Sequence, residues 1–166
     1  MSSHHTTAVM PKTSLSEIPT KKDFSHIRFS EDKLQIDLKQ LQQLFNEAAF
    51  WAQNRNLDDL AIAIANSDPV ITIWEQENLI GFARATSDGV YRASIWDVIV
   101  HPQYQGYGLG RKLIQNLLKH PRLKNVERVY LMTTYQQGFY ARLGFEYSNP
   151  STSMVIYNRQ KIVYNR

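Results

Sequence analysis

No cysteine occurs anywhere in the chain, which excludes disulfides, a cysteine nucleophile and cysteine-ligated zinc. No apolar run approaches the roughly eighteen residues of a membrane span. The N-terminus also lacks the hydrophobic stretch, about 7–15 residues long, of a secretory signal. A cytoplasmic protein with no membrane partner is therefore expected. Lysine and arginine are scattered rather than set in a stripe interleaved with aromatics, so no nucleic-acid partner is expected. The net charge of +4 suits either a solvated surface or attraction to an anionic ligand. Glycine is scarce as well: seven residues in all, three of them at positions 106, 108 and 110.

That cluster lies inside the most informative stretch of the chain, residues 95–114. An apolar run with the character of a buried strand meets His101-Pro102, passes through the glycines and turns at once into a helical pattern. A helix N-terminus leaves about four backbone N–H groups without internal partners and carries roughly half a positive charge, which makes it an anion site. Glycines there let a phosphate approach the backbone and permit positive φ, and Arg111 adds a cation. Two common phosphate loops do not match. Gly110-Arg111-Lys112-Leu113 has no hydroxyl where a Walker A loop needs one. A dinucleotide loop needs its third glycine one place later and its first directly after the strand.

Gln105-x-x-Gly108-x-Gly110 behind an apolar strand resembles the acetyl-CoA motif of the GCN5-related N-acetyltransferase family. A second stretch, Gly138-Phe139-Tyr140-Ala141-Arg142-Leu143-Gly144-Phe145, is similar to that family's C-terminal signature and follows in the expected order, with Tyr140 thirty-two residues after Gly108. Within the family, the stretch from Ile95 to Gly110 looks most like cyanobacterial and plastid acetyltransferases, some acting on arylalkylamines or protein lysines.

At 166 residues, 43% of them hydrophobic and 20% charged, the chain suits one domain. Residues 1–25, rich in Ser, Thr, Lys and Pro, read as a flexible tail. Residues 26–166 read as a single acetyltransferase domain. A short strand at 26–29 is followed by a helix capped by Asp37, with Gln40 completing a capping box, and by a second helix capped by Asn56. Strands at 70–74, 79–84 and 91–100 form an antiparallel meander joined by turns at 75–78 and Asp88-Gly89. A helix at 108–120, a strand at 129–132, a short helix at 136–143 with Gly144 as a left-handed cap, and a hairpin of 145–147 with 154–157 complete the order. The class is α+β. The resemblance implies the acyl-CoA N-acyltransferase fold, a largely antiparallel sheet flanked by helices and splayed between strands 4 and 5.

The resemblance also implies a site. Acetyl-CoA is the expected co-substrate, and no metal is called for. The backbone of Val98, Ile99 and Val100 would pair with the pantetheine arm. Gln105, Gly106, Tyr107, Gly108, Leu109, Gly110 and Arg111 would hold the pyrophosphate. Thr134 stands where many relatives carry an asparagine that contacts the cofactor. Tyr140 is the expected proton donor to the leaving thiolate. Asp97, the carboxylate of the strand, is either a base or acceptor contact or the partner of a neighbouring loop. Phe50 and Trp51, on the expected acceptor wall, and Trp96 either touch substrate or pack in the core. The expected acceptor is a small-molecule or protein amine, and the expected assembly a monomer or homodimer. A CoA-binding regulatory module without catalysis is the alternative.

Overall fold

A computed structural model describes residue 24 and residues 26–146. The tail apart from Phe24, and all of the terminal hairpin but Phe145 and Glu146, lie outside the described residues. Five strands form one sheet in sequence order: β1 (Ile27–Ser30), β2 (Val70–Glu75), β3 (Asn78–Ser87), β4 (Arg92–Val100) and β5 (Arg128–Leu131). The first four pair antiparallel and β5 joins β4 parallel. The order follows the sequence pattern, since two short turns link β2, β3 and β4, and the parallel step needs the crossover that α3 (Leu109–Lys119) supplies.

Helices cover both faces. On one side Leu109, Leu113, Ile114 and Leu117 of α3 bury against Ile71, Ala83, Ala93 and Ile95. On the other, α1 (Leu38–Ala48) and α2 (Leu57–Ala65) bury Leu41, Phe45, Leu60 and Ile64 against Val70, Phe82 and Ile99. No helix among the described residues is long and apolar enough to cross a membrane.

The helix ends show which local signals decide. Asp37 caps α1 as expected, accepting from the N–H groups of Lys39 and Gln40. Gln40 does not complete the capping box. Its Oε1 accepts from the Leu79 N–H at 2.9 Å and its Nε2 donates to the Glu77 carbonyl. The β2–β3 turn needs partners, and Gln40 is within its reach. Asn56 caps α2. At the far end α4 (Gln137–Ala141) is shorter than its pattern, and Gly144 at φ +91° closes it. The N–H groups of Gly144 and Phe145 return to the carbonyls of Ala141 and Tyr140, the paired bonds of a left-handed helix stop.

One irregularity shapes the centre of the sheet. The β3–β4 register runs from Phe82↔Ile99 to Arg84↔Trp96, so two residues of β4 stand opposite one of β3. This is a β-bulge. Asp97 occupies it at φ +54°, a left-handed conformation that aspartate tolerates better than most side chains.

Candidate functional site

The sheet opens where the bulge occurs. Pairing between β4 and β5 runs from Arg92↔Arg128 to Ile95↔Leu131 and stops there, while β4 continues to Val100. Residues 96–100 thus have β3 on one side and an edge without a strand partner, among the described residues, on the other. This is the splay expected between the fourth and fifth strands. The His101 N–H bonds to the Ile80 carbonyl of β3, so by strand alternation the polar groups of Val100 face the open edge. There the Val100 carbonyl accepts from Gln105 Nε2 at 2.8 Å. The Gln105 side chain therefore ties the loop to the end of β4.

From that edge the chain enters the glycine loop. His101 caps the turn Pro102–Tyr104, its Nδ1 accepting from the Gln103 N–H, while its Nε2 lies 2.8 Å from Glu47 on α1. Tyr104 is buried and donates to Glu75. That bond, and burial after it, push the Tyr104 phenol up to about 12. Gly106 and Gly108 have φ values of +84° and +81°, with no atom within 4 Å of where a Cβ would stand. Gly110 differs, being the second residue of α3, and a Cβ there would meet the Phe139 ring at an ordinary 3.6 Å. Gly108 is the N-cap and offers no side-chain bond to the first turn. The leading N–H groups of α3 therefore have no side-chain cap, and Arg111 is exposed beside them. Tyr107 packs on Phe24 at 4.8 Å between ring centroids.

Tyr140 stands on α4 with its ring between Phe139 and Phe145, both edge-on. Burial alone pushes its phenol up to about 12. Leu131, Met132, Thr133 and Gln137 join Tyr140 around a cavity of about 290 Å³. Thr134 is exposed in the β5–α4 loop, where its carbonyl accepts from Gln137 Nε2.

Asp97 lies at the other end of the open edge, and its surroundings are ionic. Its Oδ2 takes Arg84 Nε at 2.7 Å and Arg55 at 3.0 Å. Its side chain is 8% exposed, against 18% for Arg84 and 30% for Arg55. Arg84 also donates to Ser67, and its guanidinium lies 6.0 Å from the Trp96 ring. The Trp96 indole donates to Thr86 at 2.9 Å, leaving the ring half-buried on the α2 side of the sheet.

Trp51 is exposed in the α1–α2 loop and stands edge-on to Phe50. Phe50 in turn meets Tyr135 of the β5–α4 loop at 5.8 Å. Tyr135 and the two arginines were not singled out by the sequence. A lone tyrosine in a loop carries no pattern, and Arg55 and Arg84 meet Asp97 from 42 and 13 residues away.

The structure therefore brings the bulge, the open edge, the glycine loop and the uncapped helix end into one line, with Tyr140 beyond the splay. Residues 37–145 match the model of the acetyltransferase (GNAT) family. The chain is 37% identical over 130 residues to an N-acetyltransferase, ycf52, of Pyropia yezoensis, covering 75% of this chain and 73% of that protein. It is 39% identical over 123 residues to a histone acetyltransferase of Glycine max, covering 67% and 48%. Among solved structures, an acetyltransferase of the GNAT family from Xanthomonas campestris superposes with a TM-score of 0.72 at 29% identity, over 80% of this chain and 93% of that one. The chain spans from about half to about three quarters of the length of such sequence relatives.

Proposed function

The chain belongs to the GNAT acetyltransferase family, and from that premise we propose that it carries the acetyl group of acetyl-CoA to a primary amine, by direct attack within a ternary complex. The acceptor is a small-molecule amine or an amine of a protein. A cytoplasmic location goes with this reading on the strength of the sequence alone.

One observation carries the proposal: the open edge of β4 leads straight into two left-handed glycines at an uncapped helix N-terminus. An extended ligand whose amides can pair like a strand and whose phosphates follow suits that order of groups. The glycine loop fits such a ligand, because positive φ is free of strain only at glycine and the space before each Cα is open. Val98 and the Val100 N–H supply the edge, while Ile99 between them turns its polar groups to β3. Gly106, Tyr107, Gly108, Leu109, Gly110 and Arg111 surround the phosphates. Gln105 shapes the loop from behind, and the Thr134 hydroxyl would hydrogen-bond the arm.

Bound acetyl-CoA supplies a thioester, an acyl group already activated for transfer. In that transfer the amine nitrogen bonds the acetyl carbon as the carbon–sulfur bond breaks. The nitrogen loses a proton and the sulfur gains one. Tyr140 is the proposed donor to sulfur. Its raised value keeps the proton in place at any physiological pH, and the same burial makes that proton reluctant to leave. Against a thiol near 8.5 the gap from about 12 is some 3.5 units, roughly 5 kcal/mol. Tyr140 therefore acts chiefly as a hydrogen-bond donor to the developing thiolate, which takes up its proton from solvent on release.

Asp97, held by two guanidiniums, is proposed to fix the bulge and border the acceptor. Water, or the second carboxylate oxygen of Asp97, takes the amine proton. Trp51 and Trp96 are proposed as acceptor-side walls, Trp51 joined by Phe50 and Tyr135.

The test is an amine panel scored for acetylation by mass spectrometry, with Tyr140→Phe beside the wild type. Tyr140→Phe should lower kcat about 100-fold or more while CoA affinity stays within a few-fold. CoA binding without turnover of any amine would identify a binding module instead of an enzyme of this reaction.

A further inference from the structure

The charges around the Asp97 bulge do not balance. Arg84 and Arg55 converge on one carboxylate oxygen, leaving a surplus positive charge in a partly buried place. The two arginines are not equivalent. Arg84 is spent, with Asp97, Ser67 and the face of Trp96 around it. Arg55 pairs with Asp97 through Nη1 at 3.0 Å and holds its guanidinium carbon over the Phe45 ring, 4.5 Å from the centroid. Its remaining donors have no hydrogen-bond partner among the described residues.

Arg55 is also held in place. Gln42 of α1 donates to its carbonyl at 2.7 Å. Asn54, at φ +58° and bonded to Asn46, precedes it. The N-cap Asn56 follows it. A guanidinium fixed in this way loses little freedom on binding, and its planar donors match a carboxylate in two-point contact. The same α1–α2 loop carries Phe50 and Trp51, and Phe50 reaches Tyr135 on the opposite loop.

We propose that Arg55 determines specificity by binding a carboxylate of the acceptor, so that the acceptor is an amino acid and not a simple alkyl- or arylalkylamine. This rests on the acetyl-transfer reading above. The carboxylate neutralises the surplus charge.

The experiment compares three acceptors on one skeleton, tryptophan, tryptophan amide and tryptamine, with the full chain and acetyl-CoA. Rates are expressed per neutral amine, because the three amines differ in acidity. The acid should exceed the amide in kcat/KM by about 10- to 100-fold, the range of a hydrogen bond to a charged group. Arg55→Gln should bring that ratio to about one, and Arg55→Lys should restore part of it. Wild-type enzyme that acetylates the amide or tryptamine as well as the acid overturns the inference and leaves the acetyl-transfer reading standing. A uniform loss across all three in Arg55→Gln also overturns it, since Arg55 would then act only by holding Asp97. All three acceptors untouched while CoA binds would overturn this inference, and the acetyl-transfer reading would then fall only if the wider amine panel were untouched as well.

Discussion

The two ends of the open β4 edge are built from different materials. The end toward α3 is backbone: left-handed glycines, unbonded N–H groups and a carbonyl held by Gln105. The end at Asp97 is side chain: one carboxylate and two guanidiniums, one of them from the loop that also carries Phe50 and Trp51. Backbone groups suit a ligand common to a family, because side-chain changes do not remove them. Side chains can vary one at a time, and that end is where selectivity for an acceptor can differ between relatives. A common donor and a variable acceptor are the expected division of labour.

The comparison can be broken or sharpened experimentally. The largest effect is expected from Asp97→Asn, which leaves the two arginines facing each other without their carboxylate. Stability should fall by about 2–3 kcal/mol, less than for a wholly buried pair because Arg55 is 30% exposed. Asparagine tolerates the left-handed backbone, so the loss reports the charge and not the bulge. Denaturant unfolding measures it, and CoA affinity should change by less than about two-fold if the ends are independent. A parallel loss of CoA binding would join the two ends into one unit.

Next in size is the contrast between two glycines. Gly108→Val forces a branched side chain to φ +81°, at a strain of about 1–2 kcal/mol. It should also weaken CoA about ten-fold or more by closing the approach to the helix end. Gly110→Ala, with ordinary packing space beside Phe139, should bind CoA within about two-fold of wild type. Calorimetric titration separates the two, and equal losses would mean that the loop serves the fold alone.

The last effect is absent near neutral pH and shows only in alkali. Tyr104 and Tyr140 are both pushed up to about 12 from about 10 in the unfolded chain. Below pH 10 both states hold the protons and nothing changes. Between about 10 and 12 the unfolded chain gives them up first, so stability falls as pH rises. Tyr104 is raised chiefly by its bond to Glu75 and Tyr140 by burial. Glu75→Gln should therefore advance the ionisation of Tyr104 in an ultraviolet titration and leave that of Tyr140 late.

The same contrast explains what could be read before the structure was known. The meander, the buried face of α3, the cap residues Asp37 and Asn56 and the stop at Gly144 are local patterns, spelled out within a few residues of one another. The splay was legible only through family resemblance, and its start at Ile95 and Leu131 is set by where β5 ends. The Gln40 bonds to the β2–β3 turn, and the Arg55 and Arg84 contacts of Asp97, join residues 13 to 42 positions apart. No periodicity encodes such pairs. An acidic residue in an apolar strand announces that it needs partners without saying which.

The bulge has one further consequence. A strand edge kept free for a ligand is also a template on which another chain can build a sheet, and open edges are where folded proteins begin to aggregate. The left-handed turn at Asp97 breaks the flat repeat such growth requires, leaving a stretch from residue 96 to 100 too short and too twisted to recruit a long partner. The kink at the start of the open edge thereby guards the protein against its own copies.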